Sequence, residues 1–336
     1  MRVLIVLPGA LGDVIRALPL LGRLRRGRPD AWIGWAVEPP SAPLLAGHPW
    51  LDRLHVFERP RGLGAVAPFL RAIRAESYDV ALDLGRGVKS ALFARASGAA
   101  ERIGFARADG REAGWLLATR RLAPQGPEQS KLEQFLAFGD ALGLPAAQVE
   151  FGLAPTLAER REGEALTAGL EGPLVAACVG SSCPSRRWFP DRTAAVLREL
   201  RARHGTSAVL LGTAADASFA LATVRDASGG VRDLVGRTTV RQLLALLSRA
   251  ELAFGPDSGA LHLAAAVGTP AVSLWGATSA ARSTPFGLDT LAVRGTAPCA
   301  PCFLRDCPIG RVCMQEIPVD TVVARSAEVL GRTSGR

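Results

Sequence analysis

The chain has 336 residues, more than one hydrophobic core usually serves, so two domains are expected. With 48% hydrophobic and 21% charged residues it has the composition of a folded protein, not of a disordered or fibrous one. The net charge of +9 is spread evenly, with twenty basic and fifteen acidic residues up to position 150 and twenty and sixteen after it. That spread speaks against a nucleic-acid-binding tail and for anionic small substrates or an anionic membrane surface.

Residues 2–7 form a nearly continuous apolar run of the kind buried in parallel sheets, and residues 8–13 turn the chain into a helix over 14–26. Strands are predicted at 31–37, 54–57 and 80–84, and helices at 63–75, 89–96 and 129–142. Residues 144–155 lack periodicity and read as a linker. A second alternating set follows. It has strands at 174–179, 208–211, 252–254 and 271–274, with helices at 191–204, after Thr239 and over 259–267. Thr239 and Gln242 have capping-box spacing. A last helix, 319–330, could cross back to the first domain.

The rhythm predicts an α/β protein of two doubly wound domains, 1–150 and 151–336, with a cleft between them where ligands of such folds sit. No signal peptide is evident at the N-terminus and no apolar run reaches membrane-spanning length, so a cytoplasmic protein with at most peripheral membrane contact is expected.

Chemistry concentrates in the turns that follow strands. In Gly255-Pro-Asp-Ser-Gly-Ala-Leu-His262 a strand opens into a helix, and the unpaired N–H groups and dipole of the helix start make an anion site. Asp257, Ser258, Gly259 and His262, the last one turn beyond Ser258, are its candidate residues. The plainer account makes Asp257 an N-cap and puts His262 in the core. Gly12 and Asp13 close the first βα turn, where Asp13 could equally be an N-cap. Arg186 and Arg187 follow the first strand of the second domain and could be surface residues. Asp216 could cap the next helix. Cys299, Cys302, Cys307 and Cys313 put four thiols in fifteen residues, which leaves a structural zinc site or a reduced loop open; disulfides are disfavoured in the cytoplasm.

The run from Gly255 through Gly276, together with Gly9-Ala-Leu-Gly-Asp13, resembles glycosyltransferase family 9, the bacterial heptosyltransferases. The likeness extends over most of the chain, and the order of motifs in its first half is nearer to heptosyltransferase I. The resemblance implies a glycosyltransferase B-type fold and inverting transfer of heptose from ADP-heptose to the lipopolysaccharide inner core, onto a Kdo-lipid A type acceptor. It requires no cofactor. It makes Asp13 the general base and puts Gly12, Arg186, Asp216, Asp257, Ser258, Gly259 and His262 at the nucleotide-sugar donor. Arg186 stands where the family has Lys, and Asp216 where it has Glu.

An anionic glycolipid acceptor would need a cationic rim, for which Arg59, Arg61, Arg86, Lys89, Arg107, Arg111 and Arg120 are candidates. Similar cysteine tails occur in the family, usually without an assigned metal. Another nucleotide sugar on the same scaffold remains open. So does a nicotinamide-dependent oxidoreductase, although no G-x-G-x-x-G opens either domain and only Glu38 could serve as a ribose ligand.

Overall fold

The computed structural model describes residues 1–58 and 66–333, in two compact units, Met1–Gly152 and Leu153–Arg336. In the first unit the strands are β1 (Arg2–Val6), β2 (Trp32–Val37), β3 (Arg53–Val56), β4 (Val80–Asp83), β5 (Glu101–Gly104) and β6 (Arg120–Arg121). They form one sheet in the order β3-β2-β1-β4-β5-β6, every pair parallel. Val3, Leu4, Ile5 and Val6 are fully buried because helices cover both faces, which is why β1 reads as an apolar run without alternation.

The helices of this unit are α1 (Leu11–Gly27), α2 (Ala42–Leu45), α3 (Val66–Ala75), α4 (Val88–Ala96) and α5 (Lys131–Ala141). Phe57, Phe69 and Phe93 pack ring against ring at 4.7–4.9 Å between centroids in its core.

The second unit repeats the plan. Its strands are β7 (Leu174–Cys178), β8 (Ser207–Leu211), β9 (Val231–Asp233), β10 (Leu252–Pro256), β11 (Ala271–Trp275) and β12 (Ala292–Arg294), in the parallel order β12-β11-β10-β7-β8-β9. Its helices are α6 (Leu157–Leu166), α7 (Pro190–His204), α8 (Ala217–Ala227), α9 (Val240–Arg249), α10 (Gly259–Ala266), α11 (Ala280–Ser283), α12 (Val312–Gln315) and α13 (Val319–Thr333). Counted within each unit, both sheets have the order 3-2-1-4-5-6. The order reverses between β1 and β4 in one and between β7 and β10 in the other, the places where ligands of open α/β sheets bind.

Three differences from the predicted elements have physical causes. Residues 144–152, read as part of a linker, are irregular but tied to the first unit. Arg23 donates to the carbonyls of Leu144 and Pro145, His48 Nε2 lies 3.1 Å from the Phe151 carbonyl, and both Leu144 and Phe151 are buried. Helix α1 starts at Leu11, three residues early, because the Asp13 and Val14 N–H groups already bond the Ala10 carbonyl. Helix α13 packs on α7, β10 and β11, and its Val322, Val323, Val329 and Leu330 join the core of the second unit.

Candidate active site

In the first unit the chain leaves β1 at Val6, turns through residues 7–10 and enters α1, with Gly12 buried in the first helical turn. Asp13 is not a side-chain cap. Its Oδ1 accepts hydrogen bonds from Arg16, 2.5 Å away and one turn on, and from Lys131 Nζ at 3.0 Å. Lys131 opens α5, where a Ser130–Glu133 capping box fixes the helix start. A cation at a helix N-terminus opposes the helix dipole, so its placement there is accounted for by the carboxylate it meets. Burial alone would push the Asp13 carboxyl up, but the adjoining Arg16 and Lys131 outweigh it and hold the group well below the ordinary carboxylate range.

Asp83 ends β4 directly beside Val6 of β1, with its Oδ1 accepting the Gly85 N–H at 3.1 Å. Burial pushes this carboxyl up to about 7, against the downward pull of hydrogen bonds from Ser90 and Gly85. The carboxyl end of this sheet thus holds one carboxyl group pulled down by its cations and one pushed up by burial.

The cationic candidates of this unit differ in what they meet. Arg86 donates to the Asp109 carbonyl and to Gln134, and stacks on Phe105 at 4.2 Å. Lys89 pairs with Glu38 at 2.5 Å, which occupies the carboxylate an oxidoreductase would use for ribose. Arg120 pairs with Glu101, Arg107 stacks on Trp115, and Arg111 is exposed. Arg59 and Arg61 lie outside the described residues.

The candidates of the second unit converge at the carboxyl ends of β7, β8, β10 and β11. Gly255 allows β10 to meet β7: its φ is +155°, and a Cβ there would lie 2.0 Å from the Cys178 carbonyl oxygen. Beyond it, Asp257 accepts from Thr278 Oγ1 at 2.9 Å and pairs with Arg186 at 3.1 Å, and its backbone carbonyl accepts from Ser181 Oγ at 2.9 Å. Asp257 therefore orients the Arg186 guanidinium and is not the N-cap of α10.

That cap is Ser258, extended at φ −153°, ψ 160°, and its side chain bonds to none of the helix amides. Ser258 Oγ and Arg186 Nε are buried without a hydrogen-bond partner among the described residues. A helix start without a side-chain cap, beside a guanidinium and an orphaned hydroxyl, can receive an anion. Gly259 is the first helical residue there. His262 is 4% exposed.

Arg187, read alongside Arg186 as a surface candidate, pairs at 2.8 Å with Asp216, whose side chain is 1% exposed. Asp216 Oδ2 also accepts from the Thr213 N–H and hydroxyl, in a capping box that closes the turn after β8 and starts the 3-10 turn Ala214–Asp216 leading into α8.

The cysteine-bearing loop braces this arginine turn. Ser185 N donates to the Arg305 carbonyl at 3.1 Å and its Oγ to the Leu304 carbonyl at 2.5 Å. Arg311 donates to the carbonyls of Arg187 and Trp188 and lies 4.4 Å from the Phe189 ring centroid, while its N–H points at Cys307 Sγ. Trp188 Nε1 donates to the Met314 carbonyl at 3.0 Å. Cys299 is exposed, Cys302 and Cys307 half-buried and Cys313 buried, and burial pushes the Cys313 thiol up. Among the described residues, no group of three or more His, Cys, Asp or Glu is arranged to hold a metal ion. Sequence reasoning missed Arg16, Ser181, Thr278 and Arg311 as site-forming residues.

The family model for glycosyltransferase family 9 (heptosyltransferase) matches residues 66–313. Lipopolysaccharide heptosyltransferase 1 of Pseudomonas aeruginosa is 27% identical over 322 residues, 91% of this chain and 87% of that protein. Among solved structures, the Escherichia coli ADP-heptose lipopolysaccharide heptosyltransferase II superposes with a TM-score of 0.80 at 22% identity, over 99% of this chain and 100% of that one. The Escherichia coli heptosyltransferase WaaC with ADP-2-deoxy-2-fluoro heptose superposes with a TM-score of 0.75 at 20% identity, over 98% and 99%.

Proposed function

The chain belongs to glycosyltransferase family 9, with the glycosyltransferase B-type fold, and we propose that it is an inverting enzyme moving heptose from ADP-heptose to a Kdo-lipid A type acceptor of the lipopolysaccharide inner core. Heptose transfer in core synthesis is the activity its relatives are named for. The observation that carries the donor part of the reading is the anion site at the start of α10, where Ser258, the first-turn amides and the Asp257-held Arg186 converge.

In this reading the second unit binds the donor and the first the acceptor. The diphosphate lies at the α10 start, where Gly259 leaves room for close approach. Arg186 and the helix dipole stabilise the negative charge that grows on ADP as the glycosidic bond breaks. His262, buried one turn beyond Ser258, adds a hydrogen bond to the donor phosphates. Asp216, fastened to Arg187 and Thr213, shapes the turn that borders the nucleoside.

Asp13 takes the proton of the acceptor hydroxyl as its oxygen attacks the anomeric carbon, with Gly12 in the same turn. Held ionised by Arg16 and Lys131, it is a weak base at rest, which suits proton transfer late in the attack, when the hydroxyl has become acidic. The reaction so described needs no metal. The structural zinc considered for Cys299, Cys302, Cys307 and Cys313 takes no part in it, since the loop acts on the site through Leu304, Arg305 and Arg311. The enzyme would work in the cytoplasm, in peripheral contact with the inner membrane where its acceptor is anchored. Among the described residues no helix is long and apolar enough to cross a membrane.

A thermal-shift series with nucleotides and nucleotide sugars tests this. A ligand present at a hundred times its Kd stabilises by about 2.7 kcal/mol, a rise in melting temperature of roughly 5 °C or more for a unit of this size. ADP and ADP-heptose should give that rise and UDP- and GDP-sugars much less. Equal stabilisation by all three nucleotide classes would overturn the donor assignment.

A further inference from the structure

We propose that the corner of the first unit built from α4, the short 3-10 turn Ala113–Leu117 and the edge strand β6 is a docking face for an anionic phospholipid bilayer. The proposal deepens the acceptor half of the reading above by naming the surface that would meet the membrane.

The apolar part comes from two packed elements. Val88, Leu92 and Arg95 share one side of α4 at helical spacing, and all three are exposed, as is the flanking Lys89. Gly114 of the 3-10 turn sits against Gly87 and Ala91 so closely that a Cβ would lie 2.8 Å from the Gly87 carbonyl oxygen. That contact sets the turn beside α4 and presents Leu116 next to the same helix. Val88 is 36% exposed, Leu92 51% and Leu116 59%. Single exposed aliphatics need no explanation, but here three stand on two elements that pack together.

Cations concentrate in the same stretch of chain. Residues 86–121 contain eight Arg and Lys against three Asp and Glu, which places +5 of the chain's +9 on about a tenth of its length. The acidic groups are engaged locally. Glu101 pairs with Arg120, Glu112 accepts the Val88 N–H at the start of α4, and Asp109 accepts the Gln125 N–H. Arg107 and Arg121 both lie over the ring of Trp115, at 5.3 and 5.1 Å, so an amphipathic aromatic and two guanidinium groups border the aliphatic patch.

Exposed aliphatic side chains on an arginine-rich stretch match a layer that offers phosphate at its surface and hydrocarbon just beneath. A polyanion without hydrocarbon would leave the leucines in water, and a second copy of this face would bring like charges together. Helix α4 also begins at the carboxyl end of β4, the strand next to β1, so the patch starts at the sheet edge that carries Asp13. A bilayer seated there would hold a lipid-anchored hydroxyl near the proposed base.

Co-sedimentation of the full chain with vesicles tests the proposal, using phosphatidylcholine alone and phosphatidylcholine mixed equally with phosphatidylglycerol. Binding is expected to the anionic vesicles, to fall steeply at high salt, and to drop roughly tenfold or more in the double variant Leu92→Glu, Leu116→Glu. The control Leu157→Glu, Leu221→Glu, at two exposed leucines of the second unit, should bind as the wild type does. Three results overturn the proposal: no binding to anionic vesicles, equal binding by the α4 double variant, or a wild-type dimer in solution that this variant dissolves. ADP-induced thermal stabilisation, measured on the same samples, separates the two readings. Vesicle binding without an ADP response sinks the donor assignment alone, and an ADP response without vesicle binding sinks the docking face alone.

Discussion

Asp13→Asn should leave ADP affinity within about threefold of wild type and lower transfer by roughly a thousandfold, in the middle of the range for loss of a general base. The amide keeps the shape of the carboxylate, and its oxygen can still accept from Arg16 and Lys131, so the turn should persist. It cannot accept the acceptor's proton. The change also leaves Arg16 and Lys131 without their shared counter-charge, at a cost of about 1–2 kcal/mol in stability. The direction of the Asp13 shift fixes the pH behaviour. Its folded-state pKa is depressed, so the stabilisation from its ion pairs is full at neutral pH and is lost only on acidification below the ordinary carboxylate range. Initial rates of ADP release and ADP calorimetry on the variant decide the matter. Turnover within tenfold of wild type would remove Asp13 as the base.

Arg186→Met carries the second large effect, this time on binding. Methionine has a comparable reach but neither the charge nor the donors that a phosphate engages. A lost charge-assisted hydrogen bond of about 1.5–3 kcal/mol corresponds to a rise in ADP Kd of roughly ten- to a hundredfold. Asp257 amplifies the loss, because its carboxylate, no longer neutralised, would face the incoming diphosphate. Arg186→Lys should recover part of the affinity, since it restores the charge without the planar fork. Unchanged ADP affinity in Arg186→Met, measured by calorimetry, would detach this residue from the donor.

The two predictions rest on features of different legibility in the sequence. The strands that end in the two functional turns, β1 and β10, announce themselves as apolar runs because both their faces are buried. The turns themselves are short-range patterns, and glycine at position 255 is forced by backbone approach to Cys178. Edge strands β9 and β12 have three residues each, too few for a periodic signal. Helix α6 was missed although Thr156 and Glu159 form a capping box, because its only fully buried residue is Gly163 and it shows no apolar stripe.

What makes the turns into a site is long-range. Lys131 reaches Asp13 across 118 positions, and Arg186 meets an aspartate that no local spacing relates to it. The role of the cysteine loop was invisible for a further reason. It braces the Ser185–Trp188 turn mainly through backbone carbonyls and Arg311, groups whose pairing no side-chain motif encodes. Conversely, of the cationic rim drawn from the sequence, Arg86, Lys89 and Arg120 each meet a partner within the first unit. Charge alone does not distinguish an arginine that binds a ligand from one that holds a turn.

The central claim is tested most directly by incubating the protein with ADP-heptose and a Kdo-lipid A acceptor and following the reaction by NMR. The account predicts release of one ADP for each heptose transferred, with the new glycosidic bond opposite in anomeric configuration to the donor. Retention of the donor configuration, or transfer from a UDP- or GDP-sugar in preference to ADP-heptose, would contradict it.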